Sequence, residues 1–203
     1  MTTKEPRICI ISCSVLKREL KLLKEQGKLD AELVFVSKKF HVDYGLLGKN
    51  LRKVLEHTKN RFAGKIVLVY GDLCLEQDNE MSNLANEYDV AKVDALNCID
   101  CQMGGKGRSL GVDPNHNLMF MGPGMIEFFG DMKENLKREG IDEAAFLGMF
   151  SSVRGIVLLD TCGDEEEQLL ALKKVGMNLD VLETRKIGVA NVLKVVLDAI
   201  ERA

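Results

Sequence analysis

Cysteines end three of the apolar runs in this chain: RICIISC stops at Cys13, KIVLVYGDLC at Cys74 and GIVLLDTC at Cys162. A fourth segment, AKVDALNCIDC, closes on the pair Cys98 and Cys101. Thiolates are soft ligands that favour zinc, iron–sulfur clusters or redox chemistry. In an open parallel α/β sheet the carboxyl ends of the strands form one edge, and ligands bind along it. Thiols remote in sequence are therefore expected to meet there, which makes Cys13, Cys74, Cys98, Cys101 and Cys162 candidate metal ligands. Cys13 also precedes a helix, whose free N–H groups and dipole are expected to lower its pKa. Cys9 alternates with Ile11 and Cys13 and reads as a small buried hydrophobe.

Cys98-Ile-Asp-Cys101 has the spacing of a metal chelate or of a redox dithiol. Glycines follow it almost at once, which does not suit the long helix that a thioredoxin-like motif opens. Those glycines belong to QMGGKGRS, residues 102–109. Gly104, Gly105 and Gly107 can form a concave nest of backbone amides, and Lys106 and Arg108 add positive charge. Such a loop suits an anionic small molecule: a phosphate, a carboxylate or a propionate-like tail. It lacks the Gly-Lys-Ser/Thr ending of a P-loop, and a plain surface loop is the alternative. In MGPGMIEFF, Gly122 and Gly124 flank a proline before a helix and place further amides at the same edge. Glu127 reads as a carboxylate favoured by the helix dipole. His41, His57 and His116 are scattered, and neither a Ser-His-Asp set nor a His-Glu-x-x-His motif is visible, so no catalytic residue is assigned.

The elements that must position these residues alternate between strand and helix. Strands are expected at 7–13, 31–37, 65–72, 92–96, 117–122, 155–161 and 179–185. Helices are expected at 14–27, 43–64, 125–140, 141–155, 164–177 and 189–203, and 75–89, of mixed polarity, reads as a helix or a partly ordered excursion. In the first helix Val15, Leu16, Leu20, Leu22 and Leu23 make a buried stripe, and in the second Leu47, Leu51, Val54 and Leu55 do so. Asp164 and Glu167 have the spacing of a capping box. This alternation predicts a Rossmann-like α/β fold: an open, mostly parallel sheet with helices on both faces. With 203 residues, 46% of them apolar, and three prolines, residues 1–203 are expected to form one domain.

The net charge of −3 and the scattered basic residues argue against a nucleic-acid partner. MTTKEPR runs into a strand without an apolar leader, and no apolar run approaches the roughly 18 residues of a membrane span. A cytoplasmic protein is expected, in which six cysteines read as metal-binding or reactive thiols before disulfides.

Taken in order, these segments resemble the uncharacterised family catalogued as domain of unknown function 1638. The resemblance is carried by Ile11-Ser12-Cys13, Tyr70-Gly71-Asp72-Leu73-Cys74, Asn97-Cys98-Ile99 with Gly104-Gly105, and Pro123-Gly124-Met125-Ile126-Glu127. It spans most of residues 7–130. Asp72 lengthens one turn, Asn97 replaces an aspartate, Met125 replaces a tryptophan, and Cys101 is an additional thiol. The resemblance implies a triad of Cys13, Cys74 and Cys98, and a setting in anaerobic one-carbon chemistry beside corrinoid methyltransferase components, with the corrinoid presented by a partner. The leading expectation is a protein whose triad holds zinc or an iron–sulfur cluster, with Cys101 or Cys162 as a fourth ligand. The rivals are a metal-free thiol redox protein using Cys98 and Cys101, and a binding module for an anionic small molecule or cofactor.

Overall fold

The computed structural model describes residues 7–75 and 79–203. Its strands form two parallel sheets. The first has four strands: β1 (Ile8–Cys13), β2 (Glu32–Val36), β3 (Lys65–Val69) and β4 (Ala91–Lys92), in the order β2-β1-β3-β4. The second has β5 (Leu118–Met121), β6 (Gly155–Asp160) and β7 (Val181–Lys186), in that order. The α/β class, with parallel strands flanked by helices, is as expected from the alternation. The division into two sheets is not something periodicity encodes. β4 is only two residues long and does not run on to residue 96, although Val93 still donates to the carbonyl of Leu68 at 3.1 Å.

One face of the first sheet is covered by α2 (Tyr44–Arg61) and α3 (Glu80–Glu87). Leu47, Leu51 and Leu55, spaced by one turn, pack with Met81 and Leu84 on Cys9, Ile11, Ile66 and Leu68. Residues 76–78 of the segment 75–89 lie outside the described residues. The other face takes Leu20 and Leu23 of α1 (Lys17–Glu25) and Val192, Val195, Val196 and Ala199 of α9 (Ala190–Arg202). Thus α9 follows the second sheet in sequence but completes the first.

Strand alternation sets the two faces of the second sheet. Ile156 and Leu158 meet α6 (Pro123–Arg138), α7 (Glu143–Gly148) and α8 (Glu165–Val175), while Val157 and Leu159 meet Ile99. Ile99 belongs to α4 (Cys98–Met103), a short helix that runs into the glycine-rich stretch 102–109. The side chain of Asn97 accepts from the N–H of Asp100 to start it, and Gly104, at φ +99°, ends it. A second short helix, α5 (Arg108–Val112), follows.

The capping box at Asp164 does not form. Asp160 Oδ1 takes the N–H groups of Gly163 and Asp164, at 2.7 and 3.1 Å, and Asp164 is turned to Arg18 and Gln168. Among the described residues no helix is long and apolar enough to cross a membrane.

Candidate thiol site at the junction of the two sheets

Cys13 ends β1 and enters a single 3-10 turn, Ser14–Leu16, in which the N–H of Val15 donates to its sulfur at 3.4 Å. Tyr70 and Gly71 follow β3 and lead into a second such turn, Asp72–Cys74. Gly71 is required there, because a Cβ would collide with the backbone of Leu96 and Asn97. That close approach lets Asp72 and Leu73 donate to the carbonyls of Ala95 and Leu96, both at 2.9 Å, and so holds Cys74 beside the start of α4. Cys98 opens α4, and its sulfur lies 3.8 Å from that of Met125 in α6.

Three segments distant in sequence thereby bring Cys13, Cys74 and Cys98 to one place at the carboxyl end of the first sheet. Cys13, Cys74 and Tyr70 share one buried cluster, and Cys98 packs against it. Tyr70 is buried, its hydroxyl has no hydrogen-bond partner among the described residues, and its ring stacks on His41 with centroids 6.1 Å apart. Cys101 faces the opposite side of the sheet, among Val67, Val69 and the valines of α9, while remaining in reach of Cys74 and Cys98. Cys162 follows β6, and the groups acting on it are Thr161, Glu19, Asp164 and Arg18. Cys9 is fully buried, as its alternation with Ile11 predicts.

The expected lowering of the Cys13 pKa is corrected by the structure. Burial pushes the thiol up to about 12, and neither the Val15 N–H nor Lys38 offsets it. Burial likewise raises Cys74 to about 11 and Cys98 well above its usual range. The site as it stands is a set of protonated thiols. Among the described residues no three of His, Cys, Asp and Glu are arranged so as to hold an ion.

The glycine-rich loop is an anion nest, and its anion is part of the chain. Asp100 is fully buried and accepts from the N–H groups of Gly107, Ser109 and Leu96, at 2.7, 2.9 and 3.1 Å, and from the Ser109 hydroxyl at 2.7 Å. Gly105 donates to the Asp100 carbonyl. Lys106 pairs with Asp72 at 2.8 Å, as does Lys92 at 2.6 Å. Burial disfavours the Asp72 anion, but these two lysines hold its carboxyl below the usual range. Gly104 packs on Asn191. Gly122 lies against the side chain of Gln102, and Gly124 against the carbonyl of Val15, so both serve close packing of α6. Glu127 does not sit in the first turn of α6 as expected; it pairs with Lys38 at 2.7 Å and Arg18 at 3.2 Å. His57 is exposed, and His116 occupies a left-handed turn lining a cavity of about 170 Å³ with Leu73, Ile99 and Phe120.

Sequence reasoning missed Glu19. It is fully buried on α1, and its Oε1 accepts from Gln102 Nε2 at 2.6 Å and from Thr161 Oγ1 at 2.9 Å. Its Oε2 has no hydrogen-bond partner among the described residues. The signal was available: Glu19 lies one turn from Leu16 and Leu23 on the stripe that α1 buries.

The model of the family described as "Protein of unknown function (DUF1638)" matches residues 35–192. The chain belongs to this family. Cys74, Cys98, Cys101 and Cys162 lie within the match, and Cys13 precedes it. No curated protein and no solved structure matches the chain.

Proposed function

We propose that the chain is a cysteine-ligated metal protein in which Cys13, Cys74 and Cys98 take up a zinc ion or an iron–sulfur cluster. The observation that carries this reading is the convergence of three thiols, from three separate segments, around a buried tyrosine. Burial keeps these thiols protonated, so loading must release protons and draw the sulfurs together. Zinc held by three thiolates would leave a position open for a substrate thiol, whereas a cluster would carry electrons. The chain's own contribution is to exclude water and to hold Met125 and Tyr70 against the sulfurs.

The setting we propose is anaerobic one-carbon chemistry with a corrinoid methyltransferase component as partner; it rests on the family resemblance alone. In that setting the chain is an accessory or catalytic component. A metal-free redox reading keeps one supporting observation: Cys98 and Cys101 lie one turn apart on α4 and act on each other. The anion-binding reading loses support because Asp100 already fills the glycine nest.

The test is purification without oxygen followed by metal and acid-labile sulfide analysis. Stoichiometric zinc, or iron with sulfide, is expected, with loss in Cys13→Ser, Cys74→Ser and Cys98→Ser and retention in Cys162→Ser. A metal-free protein with a reversible Cys98–Cys101 disulfide would replace this reading by the redox one.

A further inference from the structure

A cavity of about 170 Å³ lies where the turn after β3, α4, α5 and β5 meet. Leu73, Ile99 and Phe120 wall it, and its volume is that of a site for one benzene-sized ring. An apolar pocket with a few convergent polar groups is the usual form of a small-molecule site. Most of the polar lining is already engaged within the chain. The Ser109 hydroxyl donates to Asp100 at 2.7 Å, and Asn97 Oδ1 accepts from the Asp100 N–H at 3.0 Å.

Two polar groups remain. Asp113 is buried, and its Oδ2 accepts from the N–H of Leu118 at 2.7 Å, while its Oδ1 has no partner among the described residues. The N–H of His116 donates to the Asp113 carbonyl at 3.3 Å, and this turn brings imidazole and carboxylate to the same cavity. His116 holds φ +54°, in the left-handed region that a Cβ makes costly, so strain is kept at the cavity where glycine would relieve it. Leu73 and His116 are exposed and form the mouth, and Asp113 lies deeper. Among the described residues no lysine or arginine lines the space, so the only fixed charge in its wall is negative.

We propose that this cavity binds a small organic ammonium ion, with its apolar body against Leu73, Ile99 and Phe120 and its charged head on Asp113. An ammonium group has three donors and no acceptor, which suits a free carboxylate oxygen, an imidazole nitrogen and water at the mouth. An anionic ligand is repelled by Asp113, and a plain hydrocarbon would leave Oδ1 buried without a donor. Leu73 and Ile99 adjoin Cys74 and Cys98 in sequence, but no cysteine of the triad lines the cavity. The assignment therefore stands or falls apart from the metal reading.

Calorimetric titration of the full chain tests it at about pH 8, where amines of lysine-like pKa carry their proton. The probes are benzylamine, benzyl alcohol and benzoate, which share a ring and differ in charge. Benzylamine is expected to bind on the order of 10-fold more tightly than benzyl alcohol, as a hydrogen bond between charged groups provides, and benzoate more weakly than either. Asp113→Asn keeps an acceptor for Leu118 and should erase the preference for the amine. His116→Gly suits the left-handed turn, so it should keep the melting temperature while binding benzylamine severalfold more weakly. The proposal is overturned by no binding of benzylamine at about 10 mM, by parity of amine and alcohol, by tighter binding of benzoate, or by an unchanged preference in Asp113→Asn. Should Asp113→Asn not fold, His116→Gly decides, and wild-type affinity in that variant would overturn the site.

Discussion

Gly124 rests on the carbonyl of Val15, so the first turn of α6 touches the turn after β1 backbone to backbone. This contact fixes Met125 beside Cys98 and joins the two sheets where the thiols gather. Gly124→Ala is expected to cost about 1–3 kcal/mol, as overpacking against rigid backbone does. Gly111, which has open space around it in α5, is the control: Gly111→Ala should be neutral or stabilising. Urea denaturation of the two variants checks the opposite signs.

Asp100 closes the glycine loop from inside. Asp100→Ala strands the N–H groups of Leu96, Gly107 and Ser109, and a loss on the order of 3 kcal/mol is expected. Because the nest is built for a carboxylate, formate added to this variant should recover part of the loss. No recovery in a thermal melt would mean that the loop collapses once its anion is gone.

Glu19 and Asp72 should give opposite pH signatures. Burial raises the Glu19 pKa above its ordinary 4.5, so its folded state favours the proton. Its contribution is fully present below 4.5 and is lost as pH rises through the raised folded value. Glu19→Gln is therefore expected to stabilise the chain at neutral pH, with the gain vanishing on acidification. For Asp72, burial is outweighed by Lys106 and Lys92, and the folded pKa falls below 3.8. Its contribution is present above 3.8 and is lost as pH falls through the lowered folded value, so Asp72→Asn should destabilise at neutral pH and converge with wild type in acid. Stability curves across pH distinguish the two.

Thiol accessibility should split the cysteines into two groups. Cys98 and Cys162 are half-buried, while Cys9, Cys13, Cys74 and Cys101 are buried; burial raises the pKa of all six, to about 11 in Cys162 and well above the usual range in Cys98, so access and not acidity separates the groups. In the metal-free native chain a disulfide reagent is expected to reach only the first pair promptly. The other four should react at the rate at which the structure opens. Prompt reaction of Cys13 or Cys74 would show that the triad is open to solvent.

Much of this was legible in the residues. The leucines of α2, spaced by one turn, and the alternation of Cys9, Ile11 and Cys13 carry their burial openly. Placing strand ends at one edge put Cys162 with the other thiols, and it lies instead beside Thr161; the choice of Cys13, Cys74 and Cys98 came from the family resemblance. The division into two sheets was not legible, because strand order depends on packing between segments and not on period. The helix α4 was hidden by the glycines that end it, and Glu19 by its charge. A carboxylate on a leucine stripe reads as a surface residue until Gln102 and Thr161 arrive from elsewhere to receive it.

The return of α9 to the first sheet has a consequence for assembly. Val192, Val195, Val196 and Ala199 cover Ile10, Val67 and Val69, strands made more than a hundred residues earlier. Until those late valines emerge from the ribosome, that side of the early sheet is covered by α1 alone, and the nascent protein presents a sticky face that a chaperone would shield. A version ending before Ala190 should accumulate as aggregate, however well its second half is formed.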